Sequence, residues 1–156
     1  MNLEPVFQWL QTTPISKVVR SSNAVVDGIE TVHLFGLCLL GGTVLMVDLS
    51  LMGLGLRGQP VAGIARDLAP WTRRGLTLML VTGPLLFFGE ALKCYDRPWF
   101  WVKMSILAAA LIFHFRTQQP VAFAEPPVSH RRAAAVGAAS LALWIGVALA
   151  AKIFAS

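Results

Sequence analysis

Four long apolar stretches dominate this chain of 156 residues. They cover roughly residues 28–47, 75–92, 99–115 and 133–151, and each is near the ~20 residues that an α-helix needs to cross a bilayer. Only helices and closed barrels satisfy the backbone polar groups in lipid. The pattern predicts an all-α integral membrane four-helix bundle. It forms a single domain over residues 1–156, with spans at roughly 24–51, 73–92, 98–116 and 131–152.

The composition agrees with a surface that faces lipid. Hydrophobic residues make up 56% of the chain and charged residues only 13%, whereas soluble domains carry about 25% charged residues. The net charge of +5 does not indicate nucleic-acid binding, because the basic residues are scattered through short loops between apolar segments. The predicted partner is therefore the lipid bilayer and not nucleic acid.

The first eleven residues predict a short N-terminal amphipathic helix. Its apolar residues recur at helical spacing among polar ones; they are Val6, Phe7, Trp9 and Leu10. Such a helix either rests in the membrane interface or packs on the end of the bundle, and both interpretations stay open.

Ionisable side chains interrupt the first and the third apolar stretch. Glu30 and His33 lie in the first, and Lys103 and His114 in the third. Such groups cost several kcal/mol at membrane depth unless they face the bundle interior or a partner. Spans one and three run in the same direction, so depth can be counted at about 1.5 Å per residue. We expect His33 and Lys103 near one membrane face and His114 near the opposite face.

These histidines suggest a haem. A neutral imidazole in a helix bundle is a common axial ligand of haem iron, so His33 and His114 are the predicted iron ligands of one or two b-type haems. A single haem between them is disfavoured, because their depths differ by about 10 Å on this count. Basic side chains can hold haem propionates; the candidates are Lys103 near His33, and Arg73, Arg74 and Arg116 near His114.

Other interpretations of the polar residues stay open. Each histidine could instead be a buried side chain hydrogen-bonded between helices. Glu30 and Glu90 are candidates for proton transfer linked to quinone reduction. Asp48 and Glu90 lie at span ends, where a solvated helix end is the simpler explanation. No catalytic motif is evident, so the catalytic residues are unknown.

Several segments resemble a family of small bacterial four-helix membrane proteins of uncharacterised function. They are Glu30-Thr-Val-His33-Leu-Phe-Gly36, Pro70-Trp71-Thr-Arg-Arg-Gly75 and Phe100-Trp-Val-Lys103. More distantly, Trp101-Val-Lys103 followed by Phe113-His114 is similar to the third helix of HemJ-type protoporphyrinogen oxidases, and CopD-type membrane proteins share the general layout. The resemblance implies a b-type haem, with His33 as iron ligand and Lys103 as the second residue of the site.

The leading hypothesis is a multi-pass haem protein of the bacterial inner membrane that passes electrons between a redox partner and quinone. It would act alone, as a homo-oligomer, or as a subunit of a larger respiratory or dehydrogenase complex. Three alternatives stay open: a HemJ-like porphyrinogen oxidase, a non-redox structural or assembly subunit, and a metal-ion transporter. Whether the protein is an enzyme is not decided by its sequence.

Overall fold

The computed structural model describes residues 4–55, 58–89, 91 and 97–155. This described part is helical throughout and contains no strand. Its elements in chain order are α1 (Glu4–Thr12), α2 (Pro14–Val19), α3 (Asn23–Leu51), α4 (Val61–Gly89), α5 (Pro98–Phe113), a π-helical turn (His114–Gln118), α6 (Gln119–Ala122) and α7 (His130–Ala155).

Three helical segments are long and apolar enough to cross a membrane. They are Asn23–Leu51, Pro98–Ala122 and His130–Ile153, which indicates a membrane protein. The 29 residues of α4 have the length of a span, but its first half carries four charged side chains: Arg66, Asp67, Arg73 and Arg74. The all-α prediction is confirmed for the described residues, and three of the four predicted spans meet the criterion of length and hydropathy.

Both ends of α3 follow from local sequence. Ser22 is the N-cap, and its hydroxyl accepts a hydrogen bond from the backbone of Ala24. At the other end Gly53 adopts a positive φ of 78°. The amides of Gly53 and Leu54 donate to the carbonyls of Ser50 and Leu49, which is the Schellman pattern that ends a helix.

Helix α4 begins at Val61, twelve residues before the predicted start of the second span. The sequence predicted a loop from Gly53 to Pro70, because this segment is rich in Gly, Arg and Pro. The structure keeps Pro70 inside the helix, and Ala62, Ile64 and Ala65 on the preceding turns are buried. Burial of these apolar side chains against neighbouring helices offsets the backbone hydrogen bond that Pro70 cannot donate.

Helices α3 and α4 pack antiparallel over most of their length through two glycines. A Cβ atom on Gly36 would lie 2.9 Å from the Cβ of Leu78, and one on Gly75 would lie 2.7 Å from the backbone nitrogen of Leu40. The absence of these side chains lets the two backbones approach closely. This contact sets the register of α3 and α4, in which His33 lies opposite Thr82.

Helix α7 packs along both α3 and α5. A Cβ atom on Gly137 would lie 2.6 Å from the carbonyl oxygen of Asp48, and one on Gly146 would lie 3.5 Å from the side chain of Ile106. Among the described residues, the backbone of α5 comes close to that of α3 or α4 at few positions. The helices therefore form two closely packed pairs, α3 with α4 and α5 with α7, joined through the contact between α3 and α7.

The third span changes from α-helix to π-helix at His114. Pro120 has no N–H to donate, and its ring crowds the carbonyl four residues earlier. The amide of Gln119 donates instead to His114, five residues back, so the turn widens. His114 and Gln118, at the two ends of this turn, are both buried. A π-helical turn inside an α-helix often marks a functional position.

The N-terminal helix is present as predicted, and a second short helix follows it. On α1 the side chain of Trp9 is 65% exposed, as expected of a residue at the membrane interface. Helix α2 packs on the end of α4, where Val19 contacts Gly89. Both interpretations of α1, in the membrane interface or packed on the end of the bundle, stay predictions.

Candidate functional site

His33 forms a hydrogen bond between α3 and α4. Its Nδ1 atom lies 2.7 Å from the hydroxyl oxygen of Thr82, and that hydroxyl donates its single hydrogen to the carbonyl of Leu78 at 2.6 Å. Thr82 can therefore only accept from His33. The proton of the neutral imidazole is thereby assigned to Nδ1, and the lone pair lies on Nε2.

The half-buried ring of His33 lies beside a glycine and near a cation. A Cβ atom on Gly83 would be 3.5 Å from Cε1 of His33, and Lys103 on α5 lies close enough to interact electrostatically with the ring. We refer to His33, Thr82, Gly83 and Lys103 together as the His33 site. The rings of Phe87 and Phe100 stack at 5.6 Å between centroids and join α4 to α5 at this end of the molecule.

A second polar group lies deep between α3, the π-helical turn and α7. We call Asp48, His114, Gln118 and Ser140 the inner polar cluster. Their exposed fractions are 0%, 4%, 1% and 1%. The side-chain amide of Gln118 donates to Oδ1 of Asp48 at 3.0 Å. Oδ2 of Asp48, the hydroxyl of Ser140 and both ring nitrogens of His114 have no hydrogen-bond partner among the described residues.

The two polar groups lie at opposite ends of the same pair of helices. Lys103 follows His33 by 70 residues, and Gln118 follows Asp48 by the same number. Helices α3 and α5 thus run parallel in one register, as expected from the sequence. The fifteen residues from His33 to Asp48 correspond to about 22 Å along a helix axis.

A small cavity lies beside His114. Its volume is about 20 Å³, and its walls include Val44, Val47, Thr72, His114 and Gln118. Pockets for organic ligands usually have volumes of about 300–1,000 Å³, so this cavity is too small for a macrocycle. It is large enough for one water molecule, which needs about 10–15 Å³ and at least two polar partners.

The two histidines predicted to bind iron lie apart, as the sequence predicted. His114 lies at the level of Val44, so it and His33 do not meet. The three arginines predicted near His114 are exposed and do not line the cavity beside it: Arg73, Arg74 and Arg116. The Cζ atom of Arg74 instead lies 4.7 Å from the ring centroid of Trp71. The roles of His114 and the three arginines in haem binding stay predictions, and the proposal below does not use them.

Of the two acidic candidates for proton transfer, one lies among the described residues. Glu30 is exposed on α3, one turn before His33, and Glu90 lies outside the described residues. Asp48, expected to be a solvated helix end, is instead fully buried. That expectation was wrong, because α7 and the π-helical turn cover the end of α3, and Gly137 allows α7 to approach the backbone of Asp48.

Sequence reasoning did not identify Thr82, Gln118 or Ser140. Each is an uncharged polar residue in or near an apolar stretch, and such residues often bond only to their own helix. Asp48 did carry a signal, since a carboxylate followed by the apolar run Leu49-Ser-Leu-Met-Gly53 lies within rather than beyond a span. Among the described residues, no group of three or more His, Cys, Asp or Glu could hold a bare metal ion.

Comparison with known proteins gave one match. A family model described as Family of unknown function (DUF6644) matches residues 6–155. No curated protein and no solved structure matches the chain. The match covers nearly the whole chain and confirms the resemblance to a family of uncharacterised function. The similarity to HemJ-type and CopD-type proteins stays a prediction.

Proposed function

The chain belongs to this family, DUF6644, and we propose that it is a b-type haem membrane protein that passes electrons between a redox partner and quinone. In this proposal the His33 site would hold the haem, and His33 would bind the iron. The proposal assigns the protein to the bacterial inner membrane as a multi-pass protein, acting alone, as a homo-oligomer, or within a larger respiratory complex.

The observation that carries this proposal is the hydrogen bond from His33 to Thr82. A histidine that binds a metal almost always donates its other ring N–H to a fixed acceptor, which sets the tautomer and the orientation of the ring. Thr82 provides that acceptor for Nδ1, because its own hydrogen is already used by Leu78. Nε2 of His33 would then carry the lone pair that could bind the iron.

Two neighbours of His33 suit a bound group with acidic substituents. Gly83 has no side chain to crowd the imidazole. Lys103 provides a cation at the same level, suited to a propionate carboxylate. When bound, haem b would supply reversible one-electron chemistry, and these residues would hold and orient it.

The proposal includes α4 as a membrane span, in addition to the three helical segments that meet the criterion of length and hydropathy. Contacts of α4 with α3 extend from Thr82 opposite His33 to Gly75 opposite Leu40, which supports a helix that follows α3 through the membrane. Arg73 and Arg74 are exposed next to this contact. Because charged side chains are costly against hydrocarbon, their exposure favours a partner subunit or a second copy of the chain on this face.

Quinol addition tests the proposed electron transfer. Haem-loaded protein in lipid nanodiscs, kept anaerobic, should develop the absorption bands of reduced haem when a quinol is added. His33→Ala protein treated in the same way should not develop them. Haem that dithionite reduces but quinol does not would contradict the quinone part of the proposal.

The sequence left a HemJ-like oxidase and a structural subunit open, and the same preparation separates them. Oxidation of added porphyrinogen by the haem-loaded protein would favour the oxidase. The interhelical bond of His33 to Thr82 also suits a purely structural histidine. In that case His33→Ala would lower the unfolding temperature while the wild-type protein takes up no haem.

A further inference from the structure

We propose that the inner polar cluster is a proton-binding site, in which Asp48 is held as a neutral carboxylic acid inside the spans. His114 and one water molecule in the adjoining cavity connect this proton to its exchange with solvent. The inference concerns the opposite end of the helices from His33 and does not depend on a haem.

A charge on Asp48 would be costly at this position. Asp48 is fully buried within a helix that has the length and hydropathy of a membrane span. An ionised carboxylate in such surroundings needs a cation or several hydrogen-bond donors. Within the described residues Asp48 has one donor, the amide of Gln118 at Oδ1, and forms no ion pair. A bound proton removes the charge with no further partner.

Asp48 as a neutral acid can use both of its polar neighbours. The hydroxyl of Ser140 lies near the carboxyl group of Asp48, and neither this hydroxyl nor Oδ2 of Asp48 has another hydrogen-bond partner among the described residues. A serine hydroxyl can donate to a carboxylate or accept from a protonated acid. A proton on Oδ2 would make Asp48 a donor to Ser140, while Oδ1 continues to accept from Gln118. The neutral acid thus uses both neighbours without the cost of a buried charge.

His114 is buried beside the small cavity that adjoins this cluster. Its ring is 4% exposed, both nitrogens lack a partner in the described part, and it lines the cavity of about 20 Å³. A water molecule fits this volume and would have the His114 ring, Thr72 and Gln118 as polar neighbours. The π-helical turn aligns His114 and Gln118 on the same buried side, so that Gln118 lies between Asp48 and the cavity.

The charged side chains on the neighbouring helices do not take the place of the proton in neutralising Asp48. On α4, Arg66 is exposed and paired with Glu125, and Asp67 is exposed. Arg116 on the π-helical turn is exposed as well. At the start of α7, His130, Arg131 and Arg132 are exposed, at least eight residues before Ser140. His114 is therefore the one titratable side chain among these that is buried with Asp48.

Infrared spectroscopy of the protein in lipid nanodiscs at neutral pH tests the inference. A protonated carboxyl group has a C=O stretching band distinct from that of a carboxylate. We expect this band in the wild-type protein, its loss in Asp48→Asn, and its retention in Asp67→Asn, which changes an exposed aspartate of α4. Ser140→Ala should shift the band by removing a hydrogen-bond partner, whereas Ser105→Ala on the exposed side of α5 should not.

Exchange into heavy water tests the role of His114. The band should shift as deuterium replaces the proton, and His114→Leu should slow this shift several-fold. A wild-type spectrum without the band, or a band that persists in Asp48→Asn, would overturn the inference. A band that disappears on addition of sodium ions would identify a metal-cation site instead. Exchange at the wild-type rate in His114→Leu would remove His114 and the cavity from the site.

Discussion

The Nδ1 atom of His33 on α3 and the hydroxyl of Thr82 on α4 lie 2.7 Å apart, although 49 residues separate them in the chain. Because Thr82 also donates to Leu78, it orients the imidazole as well as contacting it. Outer-shell partners of this kind typically change metal affinity by about 10–100-fold when removed.

We therefore expect Thr82→Val to weaken haem binding by about tenfold or more, without removing His33. Haem titration of the purified protein, followed by absorbance, measures this affinity. Thr77→Val is the matched control, since Thr77 on α4 makes the same kind of bond to its own helix, to Arg73, but is exposed. Equal affinities for the two variants would show that Thr82 does not orient the ligand.

Replacement of Gly75 by alanine should destabilise the contact between α3 and α4. The added Cβ would lie 2.7 Å from the backbone nitrogen of Leu40, and a backbone cannot yield as a flexible side chain can. We expect a loss of about 1–3 kcal/mol in the free energy of unfolding. Gly42→Ala is the control, because a Cβ there meets nothing within 4 Å, and should be neutral or stabilising by up to about 1 kcal/mol. Unfolding in detergent compares them, and similar stabilities would contradict the packing.

The bond between Gln118 and Asp48 should show as coupling in a double-mutant cycle. Gln118→Leu leaves Oδ1 of Asp48 without its donor, which should cost about 1–3 kcal/mol. In an Asp48→Leu background the same change should cost less, because the acceptor is gone. The difference, measured from unfolding curves, is expected at about 0.5–3 kcal/mol. A coupling near zero would mean that the two side chains do not interact.

The ion pair between Arg66 and Glu125 should contribute little. Both side chains are more than half exposed, at 58% and 60%, so water and salt screen the attraction. We expect Glu125→Gln to change the free energy of unfolding by less than about 1 kcal/mol. The effect should shrink further when unfolding is repeated at high salt. A large effect that persists at high salt would indicate a role beyond this exposed pair.

Much of the fold could be predicted because the apolar stretches carry strong local signals. The starts of α3 and α5, predicted near residues 24 and 98, and the common depth of His33 and Lys103 all followed from residue type and helical rise. The start of α4 could not be predicted from residue type. Pro70 favours a loop locally, and only the burial of residues such as Ile64 reverses that preference.

The candidate site was predictable only in part. His33 was conspicuous because an imidazole is costly in hydrocarbon, but its partner Thr82 is an ordinary residue until α4 is docked on α3. The burial of Asp48 depends on the π-helical turn and on the close approach at Gly137. Both arise from tertiary packing between segments far apart in sequence.

The measurement that tests the central claim most directly is a dithionite-reduced minus oxidised visible spectrum of protein expressed with ample haem. We predict α and Soret bands of a b-type haem in the wild-type protein, their loss in His33→Ala, and their retention in His130→Ala, which changes an exposed histidine. A flat spectrum from folded wild-type protein, or bands that survive in His33→Ala, would contradict the assignment of His33 as a haem ligand.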